Sequence, residues 1–380
     1  MSEYRSNLDP AGLVARLREA KRALVLSHAK PDGDAIGSCL AVRRLLEPIG
    51  VETQIALIGP VEPALGSLIE GESAVRIVDP KSPPSAEELA EWLGRFDTIA
   101  IVDTGTFGQI EPLAEAVRPC HDRVVGIDHH ARGDEAVASR RWIDSTCAST
   151  TEMLAKLAEV LEVPLSPAGR GSLGEAIFVG LATDTGWFRF PSAGPRQFSL
   201  AARLLEAGVE KDRLYAQLEQ QGRSERLAAL GRALRSLEVV PFGGDPRRGF
   251  AVMTLSHGDF AETGATSTDV GGLVNEPLAV AGIVASVLLS EPEPGVVRMS
   301  FRSAGAAALP PGLAATPGAA IDVNELASRF GGGGHVAAAG ARERARRVVA
   351  RSLTQLAAGA AVSVTSAAGD SSAFVAGANS

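Results

Sequence analysis

Residues 23–49 read ALVLSHAKPDGDAIGSCLAVRRLLEPI, which is an apolar run, a polar turn and a second apolar stretch in that order. The run Ala23–Ser27 has the composition of a buried strand, and from Ile36 onward the apolar side chains recur with helical spacing. The turn between them, His28–Asp34, contains one histidine and two aspartates. This order of strand, polar loop and helix predicts the first unit of an α/β domain with a parallel sheet.

The rest of the first half repeats this alternation. Strands are predicted at residues 53–58, 98–102 and 123–127, and Ser149 followed by Glu152 indicates a capping box that opens a helix. The strands that end near residues 27, 102 and 127 lead into acidic or histidine-rich turns. Because parallel sheets bind ligands at the carboxyl ends of their strands, we expect these turns to converge on one crevice.

Length and composition narrow the class of protein. A chain of 380 residues with 45% hydrophobic residues is long enough for two cores. No apolar stretch reaches the ~20 residues of a membrane span, so we expect no membrane-spanning segment. Residues 1–10 do not resemble a secretory signal, and the expected location is therefore the cytoplasm. The three cysteines are expected to be reduced thiols, and the net charge of -8 argues against broad attraction to duplex nucleic acid.

The second half has a different pattern. A long helical region is predicted at residues 196–237, followed by β-type runs at 249–255, 279–289 and 296–302. Residues 304–320 are almost wholly Ala, Pro, Gly and Leu, and residues 365–380 form a small-residue tail. The sequence thus predicts a second, smaller α/β domain with irregular segments.

Four segments combine carboxylates and imidazoles, each after an apolar run: His28–Asp34, Val102–Thr104, Asp128–His130 and Thr183–Thr185. Carboxylates gathered in one crevice repel each other unless cations are present, so the simplest explanation is a metal site. Mixed imidazole and carboxylate ligands suit manganese, zinc or iron. The ligand number fits two ions about 3.5–4 Å apart, an arrangement that promotes displacement at phosphorus. The residues therefore predict phosphoester hydrolysis.

In order and spacing, the segments HAKPDGDAIGS, IVDTG, GIDHHA and ATDTGWFRF resemble the DHH phosphoesterases, a family named for the triplet found here at Asp128–His130. The resemblance implies two divalent cations, with manganese as the expected metal. It implies that His28, Asp32 and Asp103 bind one ion, and that Asp34, Asp103, His129 and Asp184 bind the other, so that Asp103 bridges them. Asp128 would orient the histidines, and His130 would contact the scissile phosphate or the leaving group.

A second resemblance lies near the other end of the chain, where Phe330–His335 is similar to the GGGGH signature of the DHH-associated C-terminal domain. Glycine runs let backbone amides approach a phosphate or a base closely, although a run of glycines alone is commonly a flexible turn. The resemblance implies a substrate-binding role for Arg302, Gly332, Gly333, Gly334 and His335. The family pattern has no counterpart of residues 304–320, which are therefore predicted to be an insertion.

These features predict a parallel-sheet DHH catalytic domain at 1–190, a helical linker at 191–237, a smaller α/β substrate-binding domain at 238–358 and a disordered tail at 359–380. This architecture resembles enzymes in which metal-bound hydroxide attacks phosphorus. The expected substrates are short single-stranded oligoribonucleotides, cleaved to 5′-mononucleotides, and 3′-phosphoadenosine 5′-phosphate, converted to AMP. A phosphodiesterase for linear or cyclic di-adenylate is the alternative enzyme, and a nucleotide-sensing binding protein is the alternative outside enzymes. Whether the chain acts alone or as a homodimer is left open.

Overall fold

The computed structural model describes residues 4–242, 245–304, 320–344 and 364–365. The chain divides into two units, Met1–Gln221 and Gly222–Ser380. The predicted insertion at 304–320 lies outside the described residues apart from its two end positions. The predicted tail at 359–380 does so apart from Val364 and Thr365.

Six parallel strands form the sheet of the first unit: β1 (Arg22–Leu26), β2 (Glu52–Ile58), β3 (Val75–Val78), β4 (Thr98–Val102), β5 (Val124–Asp128) and β6 (Arg140–Ile143). Their order across the sheet is β3-β2-β1-β4-β5-β6. The order changes direction between β1 and β4, and this is the place where open α/β sheets bind ligands.

Nine helices accompany this sheet in the described part of the first unit: α1 (Pro10–Arg18), α2 (Gly33–Leu46), α3 (Pro63–Gly66), α4 (Ala86–Gly94), α5 (Ala114–Val117), α6 (Thr150–Leu161), α7 (Leu173–Asp184), α8 (Pro195–Glu206) and α9 (Lys211–Glu219). Short 3₁₀ turns lie at Glu47–Ile49, Phe107–Ile110, Arg118–Arg123 and Glu135–Val137.

The two faces of the sheet are both covered, because successive side chains of a strand point to opposite sides. Val25 belongs to a core with α1, α2, α6 and α7, whereas Leu24 and Leu26 belong to a second core with α4 and α5. Burial on both faces explains why the central strands β1 and β4 are mainly apolar rather than alternating.

The second unit contains a mixed six-stranded sheet built from β7 (Glu238–Phe242), β8 (Asp245–Leu255), β9 (Ile283–Glu293), β10 (Val296–Ser303), β12 (Gly333–His335) and β13 (Ala338–Arg344). The order is β12-β13-β10-β9-β8-β7, and within it β8 and β9 are parallel while the other neighbours are antiparallel. Its described helices are α10 (Ser224–Arg235), α11 (His257–Thr263) and α12 (Val323–Ser328), with a 3₁₀ turn at Leu273–Ala279. A separate pair joins β11 (Ala320–Ile321) to β14 (Val364–Thr365).

The predicted α/β fold class is confirmed, with a parallel sheet in the first unit and a smaller mixed sheet in the second. Two edge strands, β3 and β6, were not predicted, because each is only four residues long. The predicted helical region at 196–237 contains three helices, and Gly208, with a φ of 107°, follows the first of them. The boundary between the two units, at Gln221 and Gly222, falls between the second and third of these helices, inside the segment predicted as a linker. The domain boundaries at 190 and 237 stay predictions.

None of the helices in the described part of the chain has both the length and the apolar character needed to cross a bilayer.

Candidate metal centre

The carboxyl ends of three adjacent central strands carry half of the six predicted metal ligands, namely His28, Asp103 and His129. His28 follows β1, Asp103 follows β4, and Asp128 is the last residue of β5. The side chain of Asp103 is buried, and its backbone has a φ of 58°, which a non-glycine residue adopts at some cost. The parallel sheet therefore gathers turns that are about a hundred residues apart in sequence.

The start of α2 supplies two further carboxylates. Asp32 caps the helix, since its side chain accepts hydrogen bonds from the backbone amides of Asp34 (3.1 Å) and Ala35 (3.0 Å). Asp34 lies in the first turn and is fully buried. Between them, Gly33 leaves no room for a side chain, because a Cβ would overlap the hydroxyl of Thr183 on α7. This close approach of α2 and α7 brings Asp34 near Asp184.

The six predicted metal ligands come together in overlapping groups. His28, Asp32 and Asp103 form one group, and Asp34, His129 and Asp184 form another, with the ligand atoms of each group within 4.8 Å of one another. Asp103 and His129 also cluster with His130 in the same way, and this third set joins the two groups. His28 Nε2 lies 3.6 Å from Asp103 Oδ2, and His129 Nε2 lies 3.4 Å from Asp103 Oδ1. The two oxygens of Asp103 thus face the two groups, one each.

The predicted orienting residue Asp128 contacts one histidine of the pair. Asp128 Oδ1 accepts hydrogen bonds from the backbone amide (3.1 Å) and from Nδ1 (2.7 Å) of His130. Nδ1 of His129 instead faces the carbonyl oxygen of Cys147 at 3.4 Å. Each ring is therefore oriented through its Nδ1, but by a different partner.

Sequence analysis missed the role of the first turn of α6 in this centre. Thr150 donates its backbone amide to Asp34 Oδ2 (2.7 Å) and its hydroxyl to Asp103 Oδ1 (3.2 Å). Thr151 donates its amide (3.1 Å) and its hydroxyl (2.8 Å) to Asp34 Oδ1. The positive end of the helix dipole favours negative charge here as well. The sequence feature that could have indicated this role is the N-cap residue Ser149, because it assigns residues 150 and 151 to the first turn of the helix, where backbone amides are free to donate.

The predicted capping box is only half formed. Ser149 accepts the amide of Glu152 (3.0 Å), as predicted. The Glu152 carboxylate, however, accepts the amide of Ala148 (2.7 Å) and the side-chain amide of Gln197 (2.8 Å). Glu152 thereby connects α6 to α8.

The electrostatics of the cluster favour a cation at its centre. Burial raises the pKa of Asp34 well above its usual range, and the carboxylates of Asp103 and Asp184 raise it further. Burial disfavours the charged form of His129, yet the carboxylates of Asp103 and Asp184, 3.4 and 3.3 Å from its Nε2, outweigh this effect and raise the pKa of His129 to about 11. The carboxylates therefore attract positive charge strongly.

The donor set fits a metal ion. Three aspartates and two histidines around the shared carboxylate of Asp103 are ligands that first-row divalent metals accept. His129 Nε2 is buried and has no hydrogen-bond partner in the described structure, although it points at the carboxylates of Asp103 and Asp184. A nitrogen oriented in this way is suited to coordination.

The predicted substrate-binding residues lie in the second unit. Arg302 is on β10, and no carboxylate in the described part of the chain lies within ion-pair distance of it. Gly333–His335 forms the strand β12 rather than a free turn. Ala338 of β13 pairs with Arg302 of β10 on one side and with His335 of β12 on the other. Positions 302 and 335 therefore lie in one row across the sheet, about 10 Å apart, which is two strand spacings. Gly332 is required there, because a Cβ would overlap the carbonyl of Gly340.

Several known proteins resemble this chain over much of its length. Residues 22–175 match the "DHH family, N-terminal domain". The chain is 29% identical over 331 residues to the bifunctional oligoribonuclease and PAP phosphatase NrnA of Thermus thermophilus, covering 87% of each protein. It is 23% identical to the cyclic-di-AMP phosphodiesterase GdpP of Geobacillus thermodenitrificans, but spans only 45% of that protein. An exopolyphosphatase-related protein from Bacteroides fragilis has the same fold, with a TM-score of 0.77, 22% identity and coverage of 95% of this chain and 97% of that one.

Proposed function

We propose that this chain is a metal-dependent phosphoesterase of short nucleotides, because residues 22–175 match the DHH-family N-terminal domain. Its proposed reactions are the hydrolysis of short oligoribonucleotides to 5′-mononucleotides and of 3′-phosphoadenosine 5′-phosphate to AMP. The similarity to the Thermus enzyme, which spans most of both chains, supports this choice of substrates.

The observation that carries the proposal is the position of Asp103 between the two ligand groups. One of its oxygens faces His28 and the other faces His129, as a carboxylate bridging two cations would. We propose two divalent ions at this place, with manganese favoured because both groups contain an imidazole. When bound, such ions would polarise the phosphoryl oxygens and activate water.

The residues of the chain itself have distinct tasks in this proposal. Asp103, held by the hydroxyl of Thr150, would set the spacing of the two ligand groups. Asp128 holds Nδ1 of His130 and so fixes the orientation of a ring whose side chain is 51% exposed. This supports the proposal that His130 contacts the scissile phosphate or the leaving group. Both proposed reactions break a bond between phosphorus and a ribose 3′ oxygen, so one arrangement serves both.

A product assay tests the proposal. Diribonucleotides, longer RNAs, 3′-phosphoadenosine 5′-phosphate and cyclic di-AMP are each incubated with the protein and manganese, and the products are separated by chromatography. We expect 5′-mononucleotides from short RNA and AMP from the phosphorylated nucleotide, with slower turnover of long RNA. Faster turnover of cyclic di-AMP than of any other substrate would favour the alternative enzyme, to which the similarity with the Geobacillus phosphodiesterase points. Nucleotide binding without any turnover would favour a sensor.

Comparing Asp103→Ala with Asp32→Ala tests whether the Asp103 carboxylate bridges the two proposed ions. Because one oxygen of this carboxylate lies 3.6 Å from His28 and the other 3.4 Å from His129, its removal should weaken the binding of both ions, whereas Asp32→Ala should affect one group. Bound manganese is counted by elemental analysis of the dialysed protein. Two tightly held ions in Asp103→Ala would show that the bridge assignment is wrong. The cytoplasmic location and the oligomeric state stay predictions to be tested by fractionation and light scattering.

A further inference from the structure

The turn that follows Asp184 has no part in the metal centre, yet it is attached to the same helix end. The backbone amide of Phe190 donates to the carbonyl of Thr185 (3.0 Å), and the amide of Trp187 donates to the carbonyl of Ala182 (2.6 Å). These bonds fold residues 185–190 back onto the end of α7. The turn is thereby fixed next to the carboxylate of Asp184.

The aromatic residues of this turn differ in exposure. The rings of Trp187 and Phe188 contact the buried Phe178, at centroid distances of 6.2 and 6.1 Å. Phe190, by contrast, is 52% exposed. Its ring lies on Gly186, where a Cβ would come within 2.5 Å of it. The glycine thus makes room for a ring that is supported on one side and open to solvent elsewhere.

Phe190 is also near the metal ligands. Asp184 and Gly186 are two residues apart, so their Cα atoms are separated by at most about 7.6 Å. The ring lies within about 4 Å of the Gly186 Cα, since one bond of roughly 1.5 Å separates that atom from the Cβ position. The edge of the ring is therefore within roughly 12 Å of the Asp184 Cα.

A cation accompanies the exposed ring. The Nε of Arg189 donates to the carbonyl of Gly186 (2.7 Å), which fixes the guanidinium beside the turn. Arg189 is exposed, and no carboxylate within the described ranges forms an ion pair with it. An open aromatic face beside an uncompensated cation is suited to a nucleobase and its phosphate, because bases stack on aromatic rings whatever their identity and guanidinium groups bind phosphate.

We propose that Phe190 stacks on the nucleobase of the nucleotide whose phosphate occupies the metal centre, with Arg189 as a cationic contact to that nucleotide. This inference rests on the proposed function, because it assigns a subsite to the same substrate. It predicts a preference for phosphate esters that carry a base, with little discrimination among bases.

Kinetic measurements on substrates that carry or lack nucleobases test the stacking contact. The substrates are diadenylate and an analogue in which both bases are replaced by hydrogen, and the variants are Phe190→Ala, Phe190→Tyr and Phe198→Ala. Phe198 is the control, because it is 53% exposed and lies on α8, where its ring contacts Phe188 of the turn at a centroid distance of 5.4 Å. Phe198→Ala therefore reports on the packing of the turn rather than on the exposed ring of Phe190. Phe190→Ala should lower kcat/KM for diadenylate about 5- to 100-fold, mainly through KM, and leave the analogue unchanged. Phe190→Tyr and Phe198→Ala should behave like the natural protein.

An equal loss on both substrates, or no loss in Phe190→Ala, would overturn the subsite. So would a change of oligomeric state in Phe190→Ala, measured by light scattering, because the ring would then belong to an interface. Calorimetric binding of AMP and of ribose 5-phosphate tests the contact without turnover. If AMP binds more tightly than ribose 5-phosphate, and this difference disappears in Phe190→Ala, the subsite is supported. That conclusion would hold even if the natural protein hydrolysed no RNA. The absence of hydrolysis would reject the proposed function but not the subsite.

Discussion

Replacing Thr151 with valine removes one hydroxyl from the first turn of α6 and preserves the shape of the side chain. That hydroxyl is buried and donates to Asp34 Oδ1 at 2.8 Å, beside the amide of the same residue at 3.1 Å. A hydrogen bond to a charged group contributes about 1.5–3 kcal/mol. Asp34 is already repelled by Asp103 and Asp184, so the loss should not be offset by its surroundings. We therefore expect Thr151→Val to lower the free energy of unfolding of the first unit by about 1.5–3 kcal/mol.

Tryptophan fluorescence measures this effect in the intended part of the chain. All three tryptophans, Trp92, Trp142 and Trp187, belong to the first unit. For a unit of this size, 1 kcal/mol shifts Tm by about 2–4 °C, so Tm of the metal-free protein should fall by roughly 3–12 °C. Thr151→Ser keeps the hydroxyl and should recover most of the loss.

Two comparisons make the test specific. Thr53→Val is the control, because the hydroxyl of Thr53 bonds only the carbonyl of Val51 (3.2 Å) and no carboxylate. If Asp34 is a metal ligand, saturating manganese should narrow the difference between Thr151→Val and the natural protein, since the cation then compensates the carboxylate. Equal Tm values for Thr151→Val and the natural protein, or equal losses for the valine and serine variants, would refute the reasoning.

Three further predictions address the metals, the helix contact and the second unit. Chelation should abolish hydrolysis, and manganese should restore it better than magnesium, which accepts imidazole poorly; full activity in chelator would contradict this. Gly180→Ala should destabilise the first unit by roughly 1–3 kcal/mol, because a Cβ would overlap the Asp34 carboxylate, whereas Gly94→Ala meets no atom within 4 Å and should be tolerated in the same melting assay. Arg302→Ala and His335→Ala should raise KM for short RNA by interactions on the order of 1–3 kcal/mol each, with unchanged manganese content; unaltered kinetics would exclude both from recognition.

The sequence was sufficient to predict the parallel sheet and the family. The buried central strands are uninterrupted apolar runs, and the polar turns after β1, β4 and β5 stand out against them. Both the α/β class and the DHH-family resemblance are confirmed. The assignment of individual ligands and substrate contacts remains a prediction, since it concerns ions and substrates rather than the fold.

Contacts between distant backbone groups could not be predicted from residue types. The carbonyl of Cys147 that faces His129 is a backbone atom, so its position depends on the path of the chain before α6 and not on the cysteine side chain. The hydroxyl contacts of Thr150 and Thr151 likewise depend on how α6 meets α2. The short edge strand β3 is partly exposed and lacks the continuous apolar pattern of the central strands. The contacts of His129, Thr150 and Thr151 join residues that are 18, 47 and 117 positions apart in sequence.

The same close helix contacts that position the ligands also connect metal binding to folding. Gly33 and Gly180 allow α2 and α7 to approach until Asp34 lies against α7, and a side chain at either position would separate the helices. This approach places buried carboxylates near one another, which destabilises the first unit when no cation compensates them. A cation that binds the folded cluster and not the unfolded chain stabilises the fold in proportion to its affinity and concentration. Substitution of residues that hold the carboxylates together, such as Thr151, should therefore reduce the stability of the first unit most when the protein is free of metal. When metal is scarce, the same substitutions should chiefly change the affinity for the cation.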